Sequence, residues 1–117
     1  MVRFVVLQHD WPTLHWDLLV QAGAVLRAWR LYDQPAAGSV IGAEPNTDHR
    51  LMYLDYEGPV SGQRGTVSRW DQGECVWLQD TAERVEIELK GKKLLGRAVL
   101  WPSSDGRWRF QLTAATG

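Results

Sequence analysis

Glycine, proline, aspartate and asparagine divide this sequence into short stretches in which apolar and polar residues alternate. In the clearest stretch, residues 85–89, valine, isoleucine and leucine alternate with glutamates, so one face would be dry and the other wet. About eight such stretches with little helical periodicity predict an all-β fold. We expect a compact antiparallel β-barrel with one or two short flanking helices, because closure leaves no exposed edge strand. A chain of 117 residues suits one such domain over residues 1–117.

The expected elements follow from the alternation and from the turn residues. Short hairpin turns are predicted at residues 22–24 and 71–73, and a loop at 34–45. Residues 47–56 fit either a helical turn or a strand. The predicted strands are residues 3–8, 16–21, 24–31, 65–70, 74–79, 85–89, 97–101 and 107–113.

The composition points to a cytoplasmic protein without a membrane partner. No apolar run approaches the roughly 20 residues that span a bilayer, and the apolar start of the chain is too short for a signal peptide. The single cysteine, Cys75, excludes an internal disulfide, fits a reducing compartment and is expected in the core. A net charge of −1 argues against a protein that coats nucleic acid, but not against an enzyme that holds only a strand end.

The densest polar cluster lies between residues 9 and 17. His15 and Asp17 are two residues apart, so on a strand their side chains share a face, and a short loop could bring His9 beside them. Two imidazoles and a carboxylate form a facial ligand set for a divalent transition metal that leaves positions open for water or substrate. On spacing alone, His15 could instead form a hydrogen bond to neighbours of Asp17, and His9 could lie in solvent.

A second cluster contains His49 and Tyr53, four residues apart. That offset places both side chains on one side in a helix and also in a strand. An imidazole and a phenol that converge could hold a phosphate or donate a proton. The alternative is that Tyr53 belongs to the core and His49 caps a turn.

Residues 4–10 (FVVLQHD) and 14–18 (LHWDL) resemble the opening of the 3′-phosphoesterase module of bacterial DNA ligase D, which reads F-V-x-x-x-H-D-x-x-x-L-H-Y-D-F-R. Residues 48–58 (DHRLMYLDYEG) resemble its D-H-P-L-x-Y-x-D-F-E-G segment. The likeness also includes residues 23–29, 65–73 and 89–96, and so runs in order along nearly the whole chain.

The resemblance implies a compact antiparallel barrel and an activity that trims DNA 3′ ends in non-homologous end joining. The module removes a terminal ribonucleoside and then the 3′-phosphate, with Mn²⁺ preferred and Zn²⁺ or Co²⁺ as alternatives. Carried over to this chain, His9, His15 and Asp17 match the metal ligands, and His9 also has a catalytic part. His49 and Tyr53 match the residues that hold the phosphate and assist catalysis. The expected partners are DNA or RNA-terminated DNA 3′ ends and a separate ligase or polymerase.

Three positions depart from the family pattern. The arginine two residues after the metal aspartate is Leu19, which cannot grip phosphate. Arg50 replaces a proline, and the glycine-rich segment is shortened to residues 60–65. We predict that Arg30 replaces the missing arginine, because either two-residue turn near Gly23 places it opposite His15 or Asp17 on the metal side. The alternative for Arg30 is a salt bridge, while Arg50 and Arg64 are weaker candidates.

Three functions are compatible with these residues. The first is a metal-dependent 3′-phosphoesterase, with the nucleic-acid strand stacked on Trp11 or Trp16. The second is a non-catalytic module that binds nucleic-acid ends or a protein, which Leu19 and the short loop would favour. The third is a hydrolase of a small phosphorylated molecule, which the near-neutral charge would favour. We adopt the first.

Overall fold

The structure, a computed structural model, describes residues 1–115. Its nine strands and one 3-10 helix leave only short connections. The strands are β1 (Val2–His9), β2 (His15–Ala22), β3 (Val25–Leu31), β4 (Val40–Arg50), β5 (Gly58–Pro59), β6 (Thr66–Asp80), β7 (Val85–Gly91), β8 (Leu95–Pro102) and β9 (Trp108–Ala114). The 3-10 helix, Leu51–Leu54, follows β4 directly.

Eight of the strands close into an antiparallel barrel, which confirms the predicted fold class. The order around it is β1, β2, β3, β4, β9, β8, β7 and β6, and β6 pairs with β1 to complete the ring. The short strand β5 lies outside and pairs with β6. One short flanking helix is present within residues 1–115, at the lower end of the expected number. No helix in that range has the length and apolar character needed to cross a lipid bilayer.

The apolar side chains form two clusters, on opposite sides of the barrel wall. The larger one fills the interior and receives buried residues from all eight barrel strands, including Phe4, Trp29 and Phe110. The smaller one lies on the outer surface, where the 3-10 helix covers β1, β2 and β3. Its buried members are Val5, Leu7, Leu19, Leu26, Ala28, Leu54 and Val67. Alternation along β1 and β2 therefore separates an interior face from an outer face that is covered in part.

Cys75 lies in the interior cluster and is fully buried, as predicted. Burial raises the pKa of its thiol to about 11, because the apolar surroundings disfavour the thiolate. At neutral pH the sulfur is therefore a core atom and not a nucleophile.

The predicted turn at residues 71–73 is wrong. These residues lie inside β6, which pairs first with β1 and then with β7, with a bulge opposite Val6 and Leu7. Asp71 is buried, and its carboxylate accepts backbone N–H bonds from Lys92, Lys93 and Leu94 at 2.9, 3.0 and 2.8 Å. A Cβ at Gly73 would collide with the carbonyl oxygen of Lys90. The glycine thus permits close strand approach rather than a turn.

Two other boundaries differ from expectation. The loop predicted at residues 34–45 ends earlier, because β4 begins at Val40. The strand is recognisable only from its pairing with β3 and β9, since Gly42 and Pro45 interrupt the alternation. Residues 47–56 contain both predicted structures in succession, the end of β4 and then the 3-10 helix.

Candidate metal centre

His9, His15 and Asp17 converge at one end of β1 and β2. His9 is paired with His15 across the two strands, and Leu7 is paired with Asp17. His9, His15 and Asp17 therefore share the outer face of the barrel with Leu7. The ligand atoms of the three side chains lie within 4.8 Å of one another. His15 and Asp17 are buried and His9 is partly buried.

The hydrogen bond of His15 fixes which ring nitrogen is free. Nδ1 lies 2.9 Å from the carbonyl oxygen of Thr13, which only accepts, so Nδ1 carries the proton in the neutral ring. Nε2 then presents a lone pair 3.2 Å from Asp17 Oδ1, without the geometry of a hydrogen bond. This nitrogen is buried and has no hydrogen-bond partner in the described part of the chain. A buried lone pair that faces a carboxylate oxygen is an arrangement that a cation between them would satisfy.

His9 is oriented in the same way by the loop before β6. Its Nε2 donates to the carbonyl oxygen of Arg64 at 2.8 Å, and its Nδ1 lies 3.6 Å from Asp17 Oδ2. Metal-binding histidines are commonly held by such a bond from the second ring nitrogen to a carbonyl oxygen. Ligands about 2.0–2.2 Å from a transition metal lie roughly 3–3.5 Å apart, close to the two distances found here. The donor set therefore fits a divalent transition metal.

His49 and Tyr53 also come together, across the junction of β4 and the 3-10 helix. Their ring centroids are 5.6 Å apart in an edge-on arrangement. The Nδ1 of His49 donates to the carbonyl oxygen of Thr47 at 2.8 Å, which leaves Nε2 for another partner. Both side chains are partly buried and line the same cleft as His9 and Asp17. The predicted proximity of His49 and Tyr53 is therefore confirmed, although one residue lies in a strand and the other in the 3-10 helix.

Arg30 lies where the second of the two predicted registers places it. β2 and β3 pair so that Asp17 is opposite Arg30, and β4 places Glu44 opposite Arg30 on the other side. The hydroxyl of Tyr32 donates a hydrogen bond to Glu44, and this bond is the main reason that the pKa of Tyr32 is raised. None of the ion pairs with N···O within 4.0 Å among residues 1–115 includes Arg30. The guanidinium of Arg30 lies beside the Tyr32 hydroxyl, where it opposes the rise in that pKa, and no direct salt bridge among these residues neutralises its charge.

These groups line one cleft of about 300 Å³. Its polar lining includes His9, Asp17, His49, Tyr53 and Arg30, together with Asn46 and Thr47, which the sequence pattern does not predict. His15 is buried directly behind Asp17 and does not line the cleft itself. Arg64 also lines it, whereas Arg50 does not. The loop before β6 is held to the first cluster by Asp10, whose carboxylate accepts the backbone N–H of Thr66 at 2.7 Å.

In the sequence, Gly65 is the residue that indicates a close contact between these two loops. It has φ of +77°, and a Cβ there would collide with Asp10 and Trp11. Only glycine allows the two loops to approach so closely, which places the Arg64 carbonyl against His9. A glycine next to a polar loop does not, however, identify its partner from sequence alone.

Trp11 and Trp16, the two tryptophans expected to stack on nucleic-acid bases, differ in their exposure to solvent. Trp16 is buried in the barrel interior at 8% exposure, so it cannot stack on a base. Trp11 is 43% exposed and lines the cleft. Leu19 shares the outer face with Asp17 but is fully buried beneath the 3-10 helix. An apolar contact has thus taken the position that an arginine would occupy.

Comparison with known proteins adds two findings. The family of DNA ligase D 3′-phosphoesterase domains matches residues 7–101. The multifunctional non-homologous end joining protein LigD of Pseudomonas aeruginosa is 31% identical over 107 residues. That match covers 83% of this chain and 13% of the length of the relative. Both polar clusters lie within residues 7–101.

Proposed function

This chain belongs to the family of DNA ligase D 3′-phosphoesterase domains, and we propose that it is a divalent-metal-dependent phosphoesterase of DNA 3′ ends. It would remove a terminal 3′-phosphate or 3′-ribonucleotide during end-joining repair. The observation that carries the proposal is the buried Nε2 of His15, which has no hydrogen-bond partner among residues 1–115 and faces Asp17. Asp17 in turn lines a cleft with His49, Tyr53 and Arg30. We propose Mn²⁺ as the metal, with Zn²⁺ or Co²⁺ as alternatives, and a cytoplasmic location.

The metal would be held by His9 Nδ1, His15 Nε2 and the carboxylate of Asp17. A divalent metal there would polarise a phosphoryl oxygen and make water a better nucleophile at neutral pH. The Thr13 and Arg64 carbonyls fix both imidazoles, so the ligand atoms need little rearrangement. His9 thus acts as a ligand whose orientation the loop before β6 controls.

The remaining groups would act on the phosphate itself. Arg30 would hold two of its oxygens through the guanidinium, and the hydroxyl of Tyr53 would donate to a third. Water attacks phosphorus and releases a proton to solvent while the bond from phosphorus to the 3′ oxygen breaks. Protonated His49, held by Thr47, would give its Nε2 proton to that oxygen. The products are a 3′-hydroxyl and phosphate, and a separate ligase or polymerase requires that 3′-hydroxyl.

An end-processing assay tests this function. The substrate is a primer-template that ends in a 3′-phosphate or in one 3′-ribonucleotide, incubated with Mn²⁺ or with EDTA. We expect conversion to a 3′-hydroxyl only with the metal. The same duplex with a 5′-phosphate should remain unchanged, because the cleft would select the 3′ end.

A non-catalytic end-binding module is the second candidate, and Leu19 favours it. The side chain is buried where the family has a phosphate-gripping arginine. Binding of 3′-phosphate ends without turnover in Mn²⁺, Zn²⁺ or Co²⁺ would support this candidate and exclude the phosphoesterase.

Replacing Arg30 with alanine should raise the KM for 3′-phosphate ends by about 10- to 100-fold, because a hydrogen-bonded charge pair contributes about 1.5–3 kcal/mol. R30K should keep part of the affinity, since lysine retains the charge but not the two-pronged geometry. Steady-state kinetics on the primer-template measure both variants. Arg50→Ala is the matched control, because Arg50 is exposed and does not line the cleft. An unchanged KM in R30A would show that another group binds the phosphate.

A further inference from the structure

All three lysines of the chain lie within residues 90–93, here called the lysine turn, which joins β7 to β8. Lys90, Lys92 and Lys93 are exposed, and no carboxylate oxygen lies within 4.0 Å of their ammonium groups among residues 1–115. The chain as a whole has a net charge of −1. Such a local concentration of cations on a slightly acidic protein marks a surface for an anionic partner.

The lysine turn has a fixed backbone. The buried carboxylate of Asp71 accepts three consecutive backbone N–H groups, from Lys92, Lys93 and Leu94. The ammonium of Lys93 lies 4.5 Å from the ring centroid of Trp70, a cation–π contact. The interior carboxylate therefore holds the turn in place, while the lysine side chains extend to the surface.

A depression of about 450 Å³ lies beside the turn, between β1, β6 and β7. Its lining includes three cationic residues, Arg3, Lys90 and Lys92. Within residues 1–115, Glu74 is the one acidic residue that lines it. Arg3 is held by a two-pronged pair with Asp55, at 2.7 and 3.3 Å. The depression opens on the outer side of the barrel, because Arg3, Val5, Leu7 and His9 alternate onto one face of β1.

The distance to the metal centre suits a continuous nucleic acid. Arg3 and His9 are six residues apart on β1, which corresponds to about 20 Å. A duplex rises 3.4 Å per base pair, so a helix whose 3′ end lies in the cleft would reach the depression after roughly six base pairs.

We infer that the lysine turn and its depression bind backbone phosphates of the nucleic acid about six base pairs from the 3′ end. This inference rests on the proposed function for the identity of the ligand. The cluster lies outside the cleft and contains no group that the reaction uses. The contact would be independent of sequence, because lysine binds a phosphate as a point charge.

The test compares K92A/K93A with the wild type in binding a DNA hairpin with a 16-base-pair stem and a 3′-phosphate. Fluorescence anisotropy is measured between 50 and 200 mM salt. Each phosphate contact contributes about 0.9 to the slope of log K against log salt, so we expect the slope to fall by about 2. The ratio of the variant's Kd to the wild-type Kd should accordingly fall roughly tenfold between 50 and 200 mM salt. K92R/K93R should restore both values.

Two controls separate this contact from general charge effects and from folding. R84A/R107A removes the same charge from the turns at the other ends of β7 and β8, and should leave the slope unchanged. Both lysine side chains are exposed, and alanine keeps their N–H bonds to Asp71, so the variant should fold. A hairpin with a four-base-pair stem should bind wild type and K92A/K93A equally, because it cannot reach the turn.

Two results would overturn the inference. One is an unchanged salt slope in K92A/K93A on the long hairpin, and the other is an equal loss on both hairpins. The binding readout does not require turnover. Lysine-dependent, length-dependent binding without end processing would therefore reject the phosphoesterase but keep this surface. End processing with an unchanged slope would do the reverse.

Discussion

Replacing His15 with alanine should remove Mn²⁺ binding and end processing together. His15 supplies the most buried ligand atom of the centre, and its Nε2 has no other hydrogen-bond partner among residues 1–115. Loss of groups that merely orient a ligand lowers metal affinity by about 10- to 100-fold, so loss of a ligand should cost at least about 100-fold. We expect the rate of 3′-phosphate removal to fall by roughly 1,000-fold or more. Calorimetry measures metal binding, and the end-processing assay measures the rate.

His49→Ala is the matched control, because it removes a histidine that lines the neighbouring cleft but is outside the ligand set. It should keep the affinity for Mn²⁺ and lose turnover, whereas H15A should lose both. Thermal unfolding gives a readout without substrate. Ligand at 100 times its Kd stabilises a folded protein by about 2.7 kcal/mol, so Mn²⁺ should raise the Tm of the wild type and H49A but not of H15A. Equal Mn²⁺ affinity in H15A and the wild type would refute this assignment of the centre.

The sequence predicted much of this site because strand geometry is periodic. The two-residue offset from His15 to Asp17 and the paired positions of Asp17 and Arg30 follow once the hairpin register is known. The four-residue offset from His49 to Tyr53 predicts that the two side chains lie on the same side in a helix and also in a strand. His9 depended on a loop, yet it lies directly opposite His15 because the two strands are joined by a short connection.

Non-local contacts explain what the sequence did not predict. Asp71, Gln72 and Gly73 resemble a turn locally, but two strands pair with the segment and draw it into β6. The role of the Arg64 carbonyl depends on contact between loops 55 residues apart. The site lies on the outer face because one of the two apolar faces of β1 and β2 forms the barrel interior. The sequence pattern does not show which face that is, because both faces are apolar.

The second large predicted effect is a loss of stability, and it concerns Asp71 in the segment where a turn was expected. Asp71→Ala should lower the free energy of unfolding by about 3–5 kcal/mol, because it leaves one buried and two partly buried N–H groups without their acceptor. For a domain of this size, that corresponds to a Tm lower by roughly 10–20 °C. Urea unfolding followed by tryptophan fluorescence would show the loss as a lower midpoint with an unchanged slope.

Asp71→Asn separates the acceptor function from the volume of the side chain. Oδ1 accepts from Lys92 and Lys93, and Oδ2 accepts from Leu94, so an amide can keep one oxygen but places an NH₂ group against the remaining donor. We expect D71N to lie between D71A and the wild type. Asp80→Ala is the control, since it removes an aspartate from an exposed pair with Arg27 and should cost no more than about 1 kcal/mol. If D71A unfolded at the same urea concentration as D80A, the carboxylate would not be what fixes the lysine turn. The rigid presentation of Lys92 and Lys93 would then need another cause.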